Sequence, residues 1–441
     1  MKNKLYHLKM SELDENAPEL GTKGRVVSTA CLHYSAPSAG GWGIVRTALL
    51  VPESIMLFVG PHGCGRHGSV SSIQLGLRNR IYYMDVTEED LVLGDHVNRI
   101  DRVVEDILSE RKQKPAAFLI CATCIDDLLA TDYKNIVRRL TKKYGIPFAD
   151  CHMNPITMNS ALPPTLNVQR SIYSFLCDTA AARTEKNTVN LIGHFTPVHQ
   201  ESEIFPVLKS AGFDKVLQLS KCTGFDEFLE MRNSGHNILI KPFGRIACQD
   251  MEKSLGIPWH KQLIRYGIDG IKRGYEEISA FLGRELDILK YYEDCREEIE
   301  SYRKKLKGLR IGVGEGANGS PFEIACALAE YGADIAFVVC SAIGDYEWEY
   351  VHKLKKMYGE IPVYTNYHPS MAVIDAIPET ADVALGFDAS YMCPAAKLFS
   401  LDSDDQHYGF EAASALLRGI EGALESNLSA RELLYSKGLV V

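Results

Sequence analysis

From residue 54 to the C-terminal end, short β-rich apolar runs alternate with amphipathic stretches of helical period. Strands separated by segments long enough for a helix are joined as parallel neighbours through crossovers, so the fold class is α/β. In the first third the strand-like runs are Ile55–Gly60, Ile81–Val86, Ala116–Cys121 and Ile146–Cys151. Helical patterns at Val97–Glu110 and Tyr133–Tyr144 lie between them. The stretch MNPITMNSALPPTLN then breaks the pattern, because Pro155, Pro163 and Pro164 suit neither a helix interior nor a central strand. The middle third repeats the alternation at Val189–Phe195, Glu201–Ala211, Val216–Lys221, Phe225–Arg232 and Ile238–Lys241. Lys261–Lys307 is charged, helical in period and free of proline, which predicts a connecting helix or helix pair. A third unit opens at Leu309, with strands at Leu309–Gly314, Ile335–Cys340, Ile361–Thr365 and Val383–Phe387 and helices at Pro321–Tyr331, Tyr346–Tyr358 and Ala412–Leu424. The expected organisation is three tandem units, residues 1–185, 186–306 and 307–441, a number in keeping with 441 residues.

Charge and hydropathy narrow the function. Forty-eight basic against 57 acidic residues give a net charge of −9, which argues against nucleic acid as a partner. No apolar run approaches the 18 or so residues a spanning helix requires, and the N-terminal stretch MKNKLYHLKMSELDENAPEL lacks the apolar core of a secretory signal. A cytoplasmic, non-membrane protein is expected. Twelve cysteines are many for such a compartment, where structural disulfides seldom persist. Either several are small apolar core residues or some bind metal.

Three cysteines in the first unit stand out by position. Cys64 lies in GPHGCGRHG, directly after a strand, at the edge where α/β folds place ligands. Cys124 closes the strand in ICATCIDD, whose CxxC form also fits a redox dithiol or half a metal site. Cys31, in STACLHYSAPSAGGWG, falls in a stretch too rich in Gly, Ser and Pro for regular structure. Cys222, in LQLSKCTG, also follows a strand, whereas Cys177, Cys248, Cys295, Cys326 and Cys340 sit in periodic apolar patterns and read as packing. Gly314, Gly316 and Gly319 form a GxGxxG between a strand and a helix. A dinucleotide site should end the following strand with an acid, but that strand ends VVCSA, so an NAD enzyme is a poor fit and an anion at the helix start is the better one. No GxxxxGK[ST] is present, so the chain itself carries no nucleotide motor of that kind.

The order Cys31, GPHGCG, CATCIDDLLATD, LSKC, GIPW, GxGxxG resembles nitrogenase component 1 and its relatives over nearly the whole chain. The resemblance implies three Rossmann-like parallel-sheet domains around a central cleft. It also implies that Cys31, Cys64 and Cys124 bind an interface iron–sulfur cluster, [4Fe–4S] or a larger P-cluster-like one, with Asp132 matching the acid eight residues after the last cysteine. Cys121 has no counterpart in that set. Three thiolates do not complete a [4Fe–4S] cluster, so a second component 1 subunit, identical or paralogous, is implied. A separate ATP-hydrolysing iron protein is implied as electron donor.

The function expected on this basis is a subunit of a nitrogenase-like reductase that takes single electrons through the interface cluster. The alternative is a non-catalytic scaffold for metallocofactor assembly. Dinitrogen-reducing members hold a large cofactor with a second-domain Cys, which Cys222 matches, and a third-domain His. Counting back from Gly409-Phe410, that His position falls at Phe399, and His407 is near but out of register. A further first-domain His would fall in PTLNVQRS, which has none. A substrate other than dinitrogen is therefore expected. The pocket between domains, lined by Cys222 and Gly314, Gly316 and Gly319, is left for a second cluster or a tetrapyrrole-like substrate.

Overall fold

The structure is a computed structural model that describes residues 7–15, 43–65, 68–69, 72–73, 76–154, 162–177, 185–366, 376–402, 404, 406–430 and 432–433. Its strands are β1 (His7–Lys9), β2 (Ser54–Gly60), β3 (Ile81–Asp85), β4 (Ala117–Thr123), β5 (Phe148–Met153), β6 (Glu185–Ile192), β7 (Lys215–Leu217), β8 (Ser234–Leu239), β9 (Trp259–Lys261), β10 (Arg310–Val313), β11 (Asp334–Val339), β12 (Pro362–Tyr364), β13 (Val383–Leu385) and β14 (Lys397–Phe399). They form three sheets in the orders β3-β2-β4-β5, β7-β6-β8-β9 and β1-β12-β11-β10-β13-β14. Every pairing is parallel except that of β1 with β12. Among the described residues no helix is long and apolar enough to cross a membrane.

The two four-stranded sheets belong to one compact unit, residues 40–197 and 212–263. β2 and β4, reading SIMLFVG and AFLICAT, are buried along their whole length, as central parallel strands covered on both faces must be. On one face Ile55, Leu57, Val59, Phe118 and Ile120 meet Ile100, Val104 and Ile107 of the helix Asp95–Glu110, and Ile136 and Leu140 of the helix Tyr133–Tyr144. On the other, Met56, Phe58, Leu119 and Cys121 share a core with Val168, Ile172 and Phe175 of the helix Pro164–Cys177. That core runs on into the second sheet through Ile192, Leu217 and Leu239, and into Ala247, Cys248 and Met251 of the helix Arg245–Leu255.

The other unit holds the six-stranded sheet, residues 198–211 and the chain from 264 onward. The stretch 261–307 forms two helices, Ile268–Leu282 and Leu289–Leu306, the first ended by Gly283 in the left-handed region (φ 64°). The second packs on the helix Phe410–Glu425, where Tyr302 donates to Glu421 at 2.6 Å and Arg418 meets Glu298 at 3.0 Å.

The observed boundaries differ from the sequence expectations at identifiable places. Pro164 opens a helix rather than extending a loop, since the first helical position needs no backbone N–H. β7 stops at Leu217 and the chain passes through one 3-10 turn, Leu219–Lys221, before Cys222. β1 pairs with β12 in the six-stranded sheet, and residues 198–211 and the two helices after 264 fall in the compact unit of that sheet.

Candidate functional site

Because β2 and β4 are hydrogen-bonded parallel neighbours, their carboxyl ends lie side by side at one edge of the first sheet. Cys64 stands four residues past the end of β2, and Cys124 immediately past the end of β4 as the first residue of the short helix Cys124–Leu128. Gly60 closes the gap between the two ends, for a Cβ there would run into the Thr123 side chain. The turn that carries Cys64 has its N–H donating to the Pro61 carbonyl at 3.0 Å, and Gly63 holds φ 99°, a conformation few other residues adopt. Gly65 passes so close to the Tyr83 ring that a side chain would not fit.

Both thiols are half-buried. Burial, then the charge of Cys124, pushes the Cys64 thiol above its ordinary value. Two thiolates that repel in a partly dry site gain most from a cation between them, which is the donor chemistry of iron–sulfur iron. Cys31, the third expected ligand, lies outside the described residues.

The helix that starts at Cys124 is tied down from behind. Asp126 meets His96 at 3.3 Å with both side chains buried, and Asp127 accepts from His152 at 2.8 Å and from Asn154 at 2.5 Å. His152 also reaches Asp150 at 3.0 Å. Burial opposes a charged ring there, but Asp150 and Asp127 outweigh it and raise His152 to about 8. These groups position the thiol, and sequence reading passed over them. The available signal was the Asp126-Asp127 pair one residue beyond Cys124, beside a strand that carries Asp150-Cys-His152 near its carboxyl end. Asp132 caps the helix Tyr133–Tyr144 by accepting from the Asn135 N–H at 3.1 Å.

The remaining candidates lie elsewhere. Cys121 is fully buried opposite Cys151 in the register of β4 and β5. Cys248, Cys295, Cys326 and Cys340 are buried, and Cys177 is partly so. Cys222 follows the second sheet, its Sγ 3.4 Å from the Gln218 carbonyl. Burial, then Glu227 and Glu230, pushes its thiol up to about 12, which favours the protonated form. In the other unit, the loop from Gly314 to Gly319 uses its donors internally. Glu315 N–H and Gly316 N–H bond Asp388 at 2.8 and 3.2 Å, Asn318 N–H bonds the Leu401 carbonyl at 2.6 Å, and Gly314 N–H bonds the Leu385 carbonyl at 2.7 Å. A Cβ at Gly314 would strike Asp388. The loop thus spends its N–H groups on Asp388, Leu401 and Leu385 and adds its own carboxylate, Glu315, so it is not an anion cradle. Burial, offset by Ser341 and reinforced by Asp388, raises Glu315 to about 7.

The family model described as nitrogenase component 1 type oxidoreductase matches residues 40–392. A nitrogenase iron-molybdenum cofactor biosynthesis protein NifE from Nostoc is 24% identical over 438 residues, covering 94% of this chain and 87% of that one. The Clostridium pasteurianum protein of the same name is 24% identical across 70% of this chain and 68% of its own length. A nitrogenase molybdenum-iron protein alpha chain from Methanosarcina barkeri is 23% identical across 61% of this chain and 53% of its own. The solved structure of nitrogenase Cp1 at pH 6.5 superposes with a TM-score of 0.69 at 14% identity, covering 94% of this chain and 96% of that one, a likeness of fold. Taken with the three sheets, parallel except at β1, and the two thiols at neighbouring strand ends, the matched span of 353 residues places this chain in the family of nitrogenase component 1 type oxidoreductases.

Proposed function

We propose that the chain is a scaffold on which an iron–sulfur metallocofactor is assembled, with Cys31, Cys64 and Cys124 holding a cluster shared with a second component 1 subunit. The observation that carries the cluster is the half-buried pair Cys64 and Cys124 at adjacent strand ends, with the charge of one raising the other. A bound cluster supplies one-electron transfer. The chain's own residues hold it in place: Gly60 brings the strand ends together, and Asp126, Asp127, His96 and His152 fix the helix that starts at Cys124.

The scaffold reading rests on the relatives, since a NifE cofactor biosynthesis protein aligns over 94% of the chain. Two features of this chain support it. Phe399, at the position expected for a third-domain His, packs its ring so tightly on Gly419 that no Cβ would fit, and it offers no donor atom. Cys222 is held as a thiol by burial and two acids. Both features also agree with the expectation that dinitrogen is not the substrate. A reductase of another substrate, served by an ATP-hydrolysing iron protein, is the second reading, favoured by the family's description as oxidoreductases and by the alpha-chain relative.

The test is to purify the protein anaerobically, load it with isotopically labelled iron, and mix it with an apo component 1 acceptor. A parallel sample receives iron protein, ATP and reductant. Label moving to the acceptor without substrate turnover supports the scaffold, whereas turnover with no transfer supports the reductase.

A further inference from the structure

In the unit of the six-stranded sheet, apart from Cys64 and Cys124, His199, His407 and Glu411 each offer one potential ligand atom, and these atoms all lie within 4.8 Å of one another. We propose that these three residues bind one divalent transition-metal ion of the zinc or ferrous class.

Two observations point to a ligand rather than to an ordinary ion pair. His407 Nδ1 and Glu411 Oε1 lie 2.7 Å apart, which accounts for one imidazole and one oxygen. Glu411 Oε2 is buried with no hydrogen-bond partner among the described residues. The His199 ring, centred 4.0 Å from that of His407 at an interplanar angle of 56°, has no role in such a pair either. An unsatisfied buried carboxylate oxygen and a second imidazole are what a cation would use, and neutral imidazole with carboxylate is the ligand set that zinc and ferrous iron accept.

The site is also built into the backbone. His199 N–H donates to the Gln406 carbonyl at 3.0 Å, and Ser202 Oγ donates to the Tyr408 carbonyl at 2.8 Å. Glu203 accepts from Phe410 N–H at 2.6 Å, from Glu411 N–H at 3.2 Å and from the Tyr275 hydroxyl at 2.5 Å. Gly409, at φ 76°, lets the chain pass where a side chain would enter the Glu203 carboxylate. Segments 199–203 and 406–411 are therefore fastened together before any ion binds. Donors on a tetrahedral ion at about 2.1 Å stand about 3.4 Å apart, so closing the widest pair from 4.8 Å takes about 1.4 Å of side-chain movement. Three protein ligands leave a fourth position for water or an exchangeable group.

The test uses the full chain, purified anaerobically and titrated with Zn²⁺ by calorimetry, alongside His199→Ala/His407→Ala, Glu411→Gln and Cys64→Ser. The wild type is expected to bind one equivalent more than the double histidine variant. Glu411→Gln, which keeps a hydrogen-bonding side chain, is expected to weaken that step at least about 10-fold, since changing even a residue that only supports a metal ligand costs about 10–100-fold. Cys64→Ser is expected to keep the step. Crystals soaked in Zn²⁺ should show anomalous density among the three side chains. Unchanged stoichiometry and affinity in Glu411→Gln, or zinc located only on cysteines, would overturn the proposal even if the double variant failed to fold.

Discussion

Glu315 offers a quantitative test of the reading of the Gly314–Gly319 loop. Its carboxyl accepts from the Ser341 hydroxyl at 2.6 Å and stands near Asp388, and burial raises it to about 7 from 4.5. A carboxyl raised in the folded state binds a proton more tightly there than when unfolded. Its stabilising contribution is complete below pH 4.5 and is lost as pH rises through 7. The shift of 7 − 4.5, about 2.5 pH units, makes roughly 2–3 kcal/mol of stability vanish between pH 5 and pH 8. Glu315→Gln does not titrate, so the difference in stability between it and the wild type should swing by that amount. With about 2.1 cal/mol/K of unfolding entropy for each of 441 residues, the gap in Tm should move by about 3 °C over this range. The variant should be the less stable at pH 5, where it lacks the protonated carboxyl's bonds, and gain on the wild type towards pH 8. Differential scanning calorimetry at half-unit pH intervals measures the gap. A gap that stays constant from pH 5 to 8 would refute the claim that Glu315 is buried as an acid beside Asp388.

Three further outcomes are expected. Cys64→Ala and Cys124→Ala should each lose most of the iron bound by the anaerobically purified protein, while Cys121→Ala, altering a core residue opposite Cys151, should retain it; iron and sulfide analysis decides. His152→Ala should lower stability by about 1–3 kcal/mol by leaving Asp127 and Asp150 without their shared partner. Because His152 is raised to about 8 from 6.5, that loss should be full below pH 6.5 and fade above 8, which chemical denaturation at pH 6 and 9 would show. Light scattering should find the cluster-loaded protein associated with itself or a paralogue, and a stable loaded monomer would contradict the shared cluster.

The parts of this chain that were legible in the sequence are those governed by local pattern. The helices Tyr133–Tyr144 and Pro321–Tyr331 begin and end where their apolar period and their flanking Gly145 and Gly332 say they should. β2 and β4 announced themselves as unbroken apolar runs, and Cys64 and Cys124 as residues just beyond them. What was illegible depends on partners far away in the chain. β1, β9 and β14 have three residues each, too few for any period, and exist because a neighbouring strand offers free hydrogen-bonding groups. The placement of residues 198–211 in the unit of the six-stranded sheet follows from bonds such as that of Ser202 to Tyr408, separated by 206 positions. The role of His152 needed the register that sets β5 beside β4.

The antiparallel strand β1 has a consequence for how the protein is made. His7 pairs with Tyr364, and Lys9 with Pro362, so more than 350 residues must leave the ribosome before this strand meets its partner. At about 5–20 residues per second, that interval is roughly 20–70 s. During it the four-stranded sheets, complete once β9 has emerged, can fold and order Cys64 and Cys124 while the N-terminal residues are still unpaired. The pairing of β1 therefore waits until β12 has been synthesised, after both four-stranded sheets are complete.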